Sequence, residues 1–283
     1  MKKQVRQFYT GERALFAAKD LHLIECTFDA GESPLKESSN IKLDNSLFKW
    51  KYPLWYSKDV VVNNCTLFDT ARAGIWYTHN ITMNNCVIEA PKTFRCSSHI
   101  TLNNAVVPNA AETFWNCSDV TLTNVQAQGT YFAMNSKNFV CEDFVLTGDY
   151  CFDSAENVTI RRAKLLSKDS FWNARNVTVY DSFISGEYLA WNASNVTFVN
   201  CTIESLQGLC YVNNLKLVNC RLINTTRAFE YSTVDAEIVG HVDSIVNPTS
   251  GTIVADSIGE LTLDERYIDP SKTTVTTREG KHD

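Results

Sequence analysis

Apolar and polar residues alternate in short stretches along most of this chain, and the stretches recur at a nearly constant spacing. In one stretch the apolar positions are Val196, Phe198, Cys201 and Ile203. Equivalent stretches begin at residues 21, 41, 60, 81, 100, 120, 139, 158, 177, 196, 215 and 234. Alternation with one apolar face predicts short β-strands. A period of 19 to 21 residues, held from residue 21 to residue 234, predicts stacked structural units.

Asparagine or aspartate recurs at two fixed places in the repeat. It precedes the stretch in Asn40, Asp59, Asn80, Asp119, Asn138, Asn157, Asn176, Asn195 and Asn214. It lies four residues into the stretch in Asn45, Asn64, Asn85, Asn104, Asn124, Asp143, Asp181, Asn200 and Asn219. Because Asn tolerates the left-handed backbone conformation, both places are predicted to be sharp bends.

A third short segment in each unit also has one apolar position. That position reads Leu15, Leu35, Leu54, Ile75, Phe94, Phe114, Ala133, Phe152, Phe171, Ala190, Leu209 and Ala228. Three short strands joined by bends predict an all-β fold, a right-handed parallel β-helix of about 12 coils in which three short parallel sheets enclose one core. No window keeps a 3.6-residue period, so helices are not expected.

We expect a single domain over residues 1–283, because no linker divides the chain. Residues 1–20 are predicted to form an N-terminal cap and the first coil, and residues 21–250 the regular coils. Residues 251–269 still alternate and are predicted to be capping strands, since open sheet edges must be covered. Residues 270–283 are polar and predicted to be a tail.

Charge and cysteine content narrow the classes of partner. The chain has 26 basic and 32 acidic residues and a net charge of −6, without the basic cluster that nucleic-acid binding requires. Five of the 10 cysteines share one repeat position and are expected to be buried free thiols: Cys26, Cys65, Cys86, Cys201 and Cys220. Neither a signal-peptide-like start nor a membrane-spanning apolar run is recognised, so a cytoplasmic location is expected. The sequence has neither a metal-ligand spacing nor a phosphate-binding loop, so no cofactor is expected.

The outward position beside the apolar one in the third segment is rich in tryptophan. This outer ladder reads Phe16, Lys36, Trp55, Trp76, Arg95, Trp115, Met134, Asp153, Trp172, Trp191, Cys210 and Phe229. Exposed aromatic rings along one face are typical of a saccharide-binding surface. The alternative is that the preceding loop, with Tyr52, Tyr131, Tyr150 and Tyr188, folds over the rings and buries them. The sequence leaves both interpretations open.

The repeat resembles the parallel β-helix of the pectin-lyase-like superfamily over roughly residues 12 to 268. The phrases Glu12-Arg13-Ala14-Leu15, Leu35-Lys36-Glu37-Ser38, Tyr52-Pro53-Leu54-Trp55-Tyr56, Ile75-Trp76-Tyr77, Leu209-Cys210-Tyr211 and Ala228-Phe229-Glu230-Tyr231 are similar to an uncharacterised bacterial family of this fold. The resemblance implies architecture rather than chemistry. In that superfamily the equivalent strand and loop line a saccharide cleft, so it points to the outer ladder here.

The outer ladder and its neighbouring loops contain two sets of candidate residues. The predicted saccharide-binding residues are Trp55, Trp76, Arg95, Trp115, Trp172, Trp191, Arg72 and Glu112. The predicted catalytic residues are Asp149, Asp153 and Asp169, which lie on adjacent coils if the register holds. The favoured hypothesis is carbohydrate binding. A polysaccharide lyase or glycoside hydrolase, and a structural or protein-interaction scaffold, remain alternatives. A homo-oligomer is compatible with the sequence.

Overall fold

The alternating stretches form strands that pair in parallel with their copies one turn along the chain. This is seen in a computed structural model, which describes residues 1–278. The fold class is confirmed: the protein is an all-β parallel solenoid, of about 15 turns rather than 12. Two compact units make up the chain, Met1–Leu146 and Thr147–Asp283.

The first unit contains the strands numbered 1 to 14 and most of strand 15. They are β1 (Lys2–Val5), β2 (Phe8–Tyr9), β3 (Lys19–Ile24), β4 (Thr27–Phe28), β5 (Ser39–Asp44), β6 (Leu47–Phe48), β7 (Lys58–Asn63), β8 (Thr66–Leu67), β9 (Ile75–Trp76), β10 (His79–Asn84), β11 (Val87–Ile88), β12 (Phe94–Arg95), β13 (Ser98–Val107), β14 (Ser118–Gln128) and β15 (Lys137–Asp149), with a 3₁₀ turn at Asp69–Ala71.

The second unit contains twelve further strands. They are β16 (Glu156–Arg161), β17 (Lys164–Lys168), β18 (Arg175–Tyr180), β19 (Phe183–Ser185), β20 (Ser194–Val199), β21 (Thr202–Leu206), β22 (Asn213–Thr226), β23 (Thr233–Ile238), β24 (His241–Val246), β25 (Ser250–Ala255), β26 (Ser257–Thr262) and β27 (Thr273–Thr277), with a 3₁₀ turn at Pro270–Lys272.

Each unit has one long ladder of strands in register. In the first unit, residues Lys2, Leu21, Ile41, Val60, Ile81, Ile100 and Val120 face one another along it. In the second, they are Val158, Val177, Val196, Leu215, Val234, Gly251 and Thr273. Shorter strands such as β4, β6 and β8, or β17, β19 and β21, form the second side of the coil.

The ends of the ladder explain the larger number of turns. Strand β1 pairs with β3, so the predicted N-terminal cap is itself a coil. At the other end Thr273–Thr277 pairs with β25, so this part of the predicted polar tail is a strand. Residues 279–283 of that predicted tail lie outside the described part of the chain. The repeat spacing is uneven at this end of the chain. Gly251 lies so close to the preceding coil that a Cβ on it would be 2.0 Å from the carbonyl oxygen of Val234.

The bends follow the prediction, whereas the third side of the coil does not. The asparagines of both bend positions have positive φ, for example 54° at Asn200 and 53° at Asn195. On the third side, strand geometry occurs in β9 and β12, and again near the C-terminal end, where Ala228 bridges to Ile245 of β24 and β24 pairs with β26. In the coils between them this side is a turn, since the apolar residue itself adopts positive φ, as in Phe114 (63°) and Phe171 (61°). The apolar residues nevertheless point inward: Phe94, Phe114 and Phe171 are buried.

Candidate functional site

The outer ladder of the first unit is a column of stacked side chains. Trp55 and Trp76 lie face to face with ring centroids 5.1 Å apart and an interplanar angle of 8°. The guanidinium carbon of Arg95 lies 5.0 Å from the ring centroid of Trp76 and 4.3 Å from that of Trp115. All four side chains are half-buried. Because parallel strands repeat each position directly above its copy, the ring faces that these side chains turn toward one another are covered within the column.

The indole N–H groups hold these rings against the coil. Each donates to the loop carbonyl of the following coil: Trp55 to Ala73 (2.5 Å), Trp76 to Lys92 (2.8 Å) and Trp115 to Tyr131 (2.7 Å). The tyrosines of the loops add contacts to the rings, with Tyr52 4.6 Å from Trp55 and Tyr131 6.3 Å from Trp115 between centroids. The column therefore presents ring edges rather than ring faces to solvent. This arrangement lies between the two interpretations that the sequence left open, which were exposed rings and rings buried under the preceding loop.

Glu112 forms ion pairs with two cations beside the column of the first unit. Glu112 accepts hydrogen bonds from Arg95 and, at 3.1 Å, from Nζ of Lys92. Although burial opposes it, these two cations lower the pKa of Glu112. Within residues 1–278, Nε of Arg95 is the one buried side-chain nitrogen or oxygen without a partner. Arg72 is exposed and lines a cleft of about 360 Å³ with Trp50, Lys51, Asp69, Thr70, Pro91 and Asn109.

The outer ladder of the second unit begins differently. Trp191 is enclosed, with Trp172, Tyr188 and Tyr211 at centroid distances of 5.5, 5.1 and 5.1 Å, and its N–H donates to the carbonyl of Gln207 at 2.6 Å. Trp172 has Trp191 as its one aromatic neighbour, and among the described residues its N–H has no acceptor. On its other side the preceding coil carries Asp153, since the amide of Ser154 donates to the carbonyl of Trp172 at 2.8 Å.

The three predicted catalytic carboxylates come together beside Trp172. Backbone hydrogen bonds join Tyr150 to Lys168 (2.8 Å) and Asp169 to Glu187 (2.9 Å), which places Asp149, Asp169 and Glu187 on successive turns of one loop ladder. Asp169 is 3% exposed. Its side chain has no hydrogen-bond partner in the described part of the chain. Burial, followed by the charges of Asp149, Glu187 and Asp153, raises the pKa of Asp169, while Lys168 opposes the shift.

Two further carboxylates belong to this region and were not among the predicted site residues. Glu187 lies 3.6 Å from Nζ of Lys168. Glu204 accepts hydrogen bonds from Ser185 (3.0 Å) and Asn224 (2.8 Å). Both glutamates line a cleft of about 280 Å³, together with Ser185, Gly186, Ser205, Leu206 and Asn224. Glu187 was visible in the sequence as a loop charge. Glu204 gave no signal, because an outward charge on a strand is usually only solvated.

No group of three or more His, Cys, Asp or Glu side chains within residues 1–278 is arranged to hold a metal ion. The same residues include no helix of the length and apolar character that a membrane crossing needs.

The ladders of parallel strands and the asparagine bends define the molecule as an all-β parallel solenoid. The chain belongs to the family of proteins of unknown function DUF3737, whose model matches residues 2–276. No curated protein matches the sequence.

Several solved structures match this chain at low identity and low TM-score. The A-module of mannuronan C-5 epimerase AlgE4 of Azotobacter vinelandii is 11% identical, with a TM-score of 0.33 over 97% of this chain and 88% of that one. The surface protein and adhesin PfbA of Streptococcus pneumoniae is 9% identical, with a TM-score of 0.38 over 97% and 91%. The catalytic domain of a GH87 alpha-1,3-glucanase in complex with nigerose is 11% identical, with a TM-score of 0.31 over 99% and 64%. Likeness at this level carries no inference about activity.

Proposed function

We propose that this protein binds carbohydrate on the third side of the second unit, with Trp172 as the stacking platform. One observation carries the proposal: Trp172 has an aromatic neighbour on one side only, and its N–H has no acceptor among the described residues. A flat ring with a free face and a free donor suits a pyranose, whose C–H groups pack on the ring while its hydroxyls take hydrogen bonds.

Polar groups around Trp172 are suited to saccharide hydroxyls. Asp153 is half-buried and Ser154 donates to it at 2.7 Å, which leaves its second oxygen available as an acceptor. The column of the first unit offers a secondary surface, since ring edges and the tyrosines Tyr56 (48% exposed) and Tyr77 (38% exposed) reach solvent there. Trp55, Trp76, Arg95 and Trp115 stay predicted contacts of this weaker kind.

Binding of a glycan panel by wild-type protein and by Trp172→Ala tests the proposal. Calorimetry with soluble oligosaccharides is preferable to fluorescence alone, because the chain has 6 tryptophans. Removal of the platform is expected to weaken binding about tenfold or more. Trp50→Ala is the matched control, since Trp50 lies outside the outer ladder and should leave the affinity unchanged. Equal affinity of wild type and Trp172→Ala, or binding of no saccharide at all, would overturn the proposal.

A second candidate function, glycoside hydrolysis or lyase chemistry, is favoured by Asp169. A buried carboxyl with a raised pKa beside other carboxylates is the arrangement from which a general acid is made. Reducing ends and unsaturated products, measured on every saccharide that binds, distinguish the enzyme from a binding protein. Activity that disappears in Asp169→Asn while affinity is kept would favour the enzyme.

A further inference from the structure

The carboxylates around Trp172 outnumber the cations. Asp149, Asp153, Asp169 and Glu187 are the acidic groups, and Lys168 is the basic group that the structure places among them. Lys168 is already committed to Glu187 at 3.6 Å, and the negative charges of Asp169 and Glu187 outweigh desolvation and raise its pKa. Four carboxylates therefore face one cation, which Asp169 and Glu187 share.

Asp169 makes this imbalance costly. Its residue is 3% exposed, and within the described chain its side chain accepts no hydrogen bond. A buried polar group without a partner is unfavourable, and a buried charge more so. Its oxygens still touch solvent, however. Within residues 1–278, the one side-chain nitrogen or oxygen that is both shielded from solvent and without a hydrogen-bond partner is Nε of Arg95. A small donor that enters from solvent can therefore reach this carboxylate.

We propose that the site selects saccharides that carry a free, protonated amine. This inference rests on the proposed carbohydrate-binding function and names its ligand class. An ammonium group donates three hydrogen bonds and carries the charge that the cluster lacks. The face of Trp172 adds attraction for a cation held beside it, in addition to packing against the sugar ring. An N-acetylated sugar has no such charge, and a carboxylated sugar would be repelled by Asp149 and Asp153.

Three tetramers of the same β-1,4 linkage isolate the amine: glucosamine, N-acetylglucosamine and glucose. Calorimetry at neutral pH and low salt is expected to give the glucosamine tetramer an affinity at least about tenfold higher than either of the others. Raising the salt concentration should reduce this preference, because the attraction is electrostatic. Asp169→Asn and Asp153→Asn should each lower the affinity for the glucosamine tetramer by a larger factor than the affinity for the glucose tetramer, because each change removes a negative charge.

Asp243→Asn is the matched control, since Asp243 is an exposed carboxylate of the same unit on β24. It should leave the preference intact. Equal affinity for the three tetramers would overturn the inference and leave carbohydrate binding standing, whereas binding of none of them would overturn both. A preference for glucosamine that survives Asp169→Asn and Asp153→Asn, or that requires added calcium, would also overturn the assignment to these carboxylates.

Discussion

Asp169→Asn should make the folded protein more stable at neutral pH, although it alters a residue of the proposed site. Asp169 as a residue is 3% exposed, and its carboxylate lacks a hydrogen-bond partner in the described structure. Asparagine has nearly the same shape and removes the charge. It also tolerates the φ of 54° at this position, so no backbone strain accompanies the change.

The magnitude follows from the difference between two unsatisfied groups. A buried, unpaired polar group costs about 1–3 kcal/mol, and a charged one more. The variant keeps a neutral group at the low end of that range, so we expect a gain of about 1–2 kcal/mol in the free energy of unfolding. For a chain of this size each kcal/mol corresponds to about 2–4 °C in Tm.

The pH dependence of this gain has a definite sign. The pKa of Asp169 is raised in the folded state above its ordinary value of 3.8. Between these two values the folded protein holds a proton that the unfolded chain has lost, so the contribution of Asp169 to stability falls as pH rises through that window. The advantage of Asp169→Asn should therefore be largest at neutral pH and should disappear in acid.

Urea denaturation of wild type and variant across this pH range measures the effect. Asp153→Asn is the control, because Asp153 is half-buried, has a donor in Ser154, and should change stability by less than about 0.5 kcal/mol. A loss of stability in Asp169→Asn at neutral pH would show that the carboxylate has a structural partner, and would remove the reason for assigning it to a ligand.

Three further outcomes are expected. Asn200→Ala should lower the free energy of unfolding by about 2 kcal/mol, since it removes hydrogen bonds of 2.9 Å to Asp181 and Asn219 and places alanine at a φ of 54°. Asn200→Gly has no such backbone penalty and should lower it by less in the same urea titration. A larger loss for glycine would contradict this account of the bend. Trp76→Ala should lower the free energy of unfolding by about 2–4 kcal/mol, because packing on Trp55 and Arg95 is lost. Trp50→Ala should change it by about 0.5 kcal/mol or less. Equal effects of the two substitutions would argue that the column does not stabilise the fold. Of the 10 cysteines, the exposed Cys96 should react with a thiol reagent in the native protein. Buried thiols such as Cys65 and Cys117 should not react, because burial raises their pKa to about 12. Rapid reaction of several thiols would indicate that the coils open.

The bends of the coil could be predicted because the residue types at the bends favour a left-handed backbone conformation. Asn45, Asn85 and Asn200 are residues that tolerate positive φ, and each has it in the structure. On the third side, Phe114, Ala133 and Phe171 also have positive φ, but these types give no sign of it. Their conformation is imposed by stacking between coils rather than by local preference, so a strand was the natural prediction.

The ends of the fold were hidden for a related reason. Strand β1 begins Lys2-Lys3-Gln4, and most of its residues are exposed, so it lacks the apolar alternation that marks the inner coils. At the other end the ladder runs from Val234 to Gly251 and then to Thr273. These steps of 17 and 22 residues depart from the period of about 19. Register with a neighbouring coil, rather than sequence pattern, defines both ends.

For the candidate site, the sequence indicated which residues share a face but not how their rings are oriented. In a parallel ladder every side chain lies over its copy, so a run of tryptophans satisfies its own stacking, as Trp55 and Trp76 do. Counting aromatic residues along such a ladder therefore overestimates its capacity to bind sugars. A free ring face arises where the type of residue changes from one coil to the next. The step from Asp153 to Trp172 is such a place, and it lies beside the buried carboxylate of Asp169. Recognition in this fold should therefore concentrate at breaks in the repeat, while its uniform runs contribute stability.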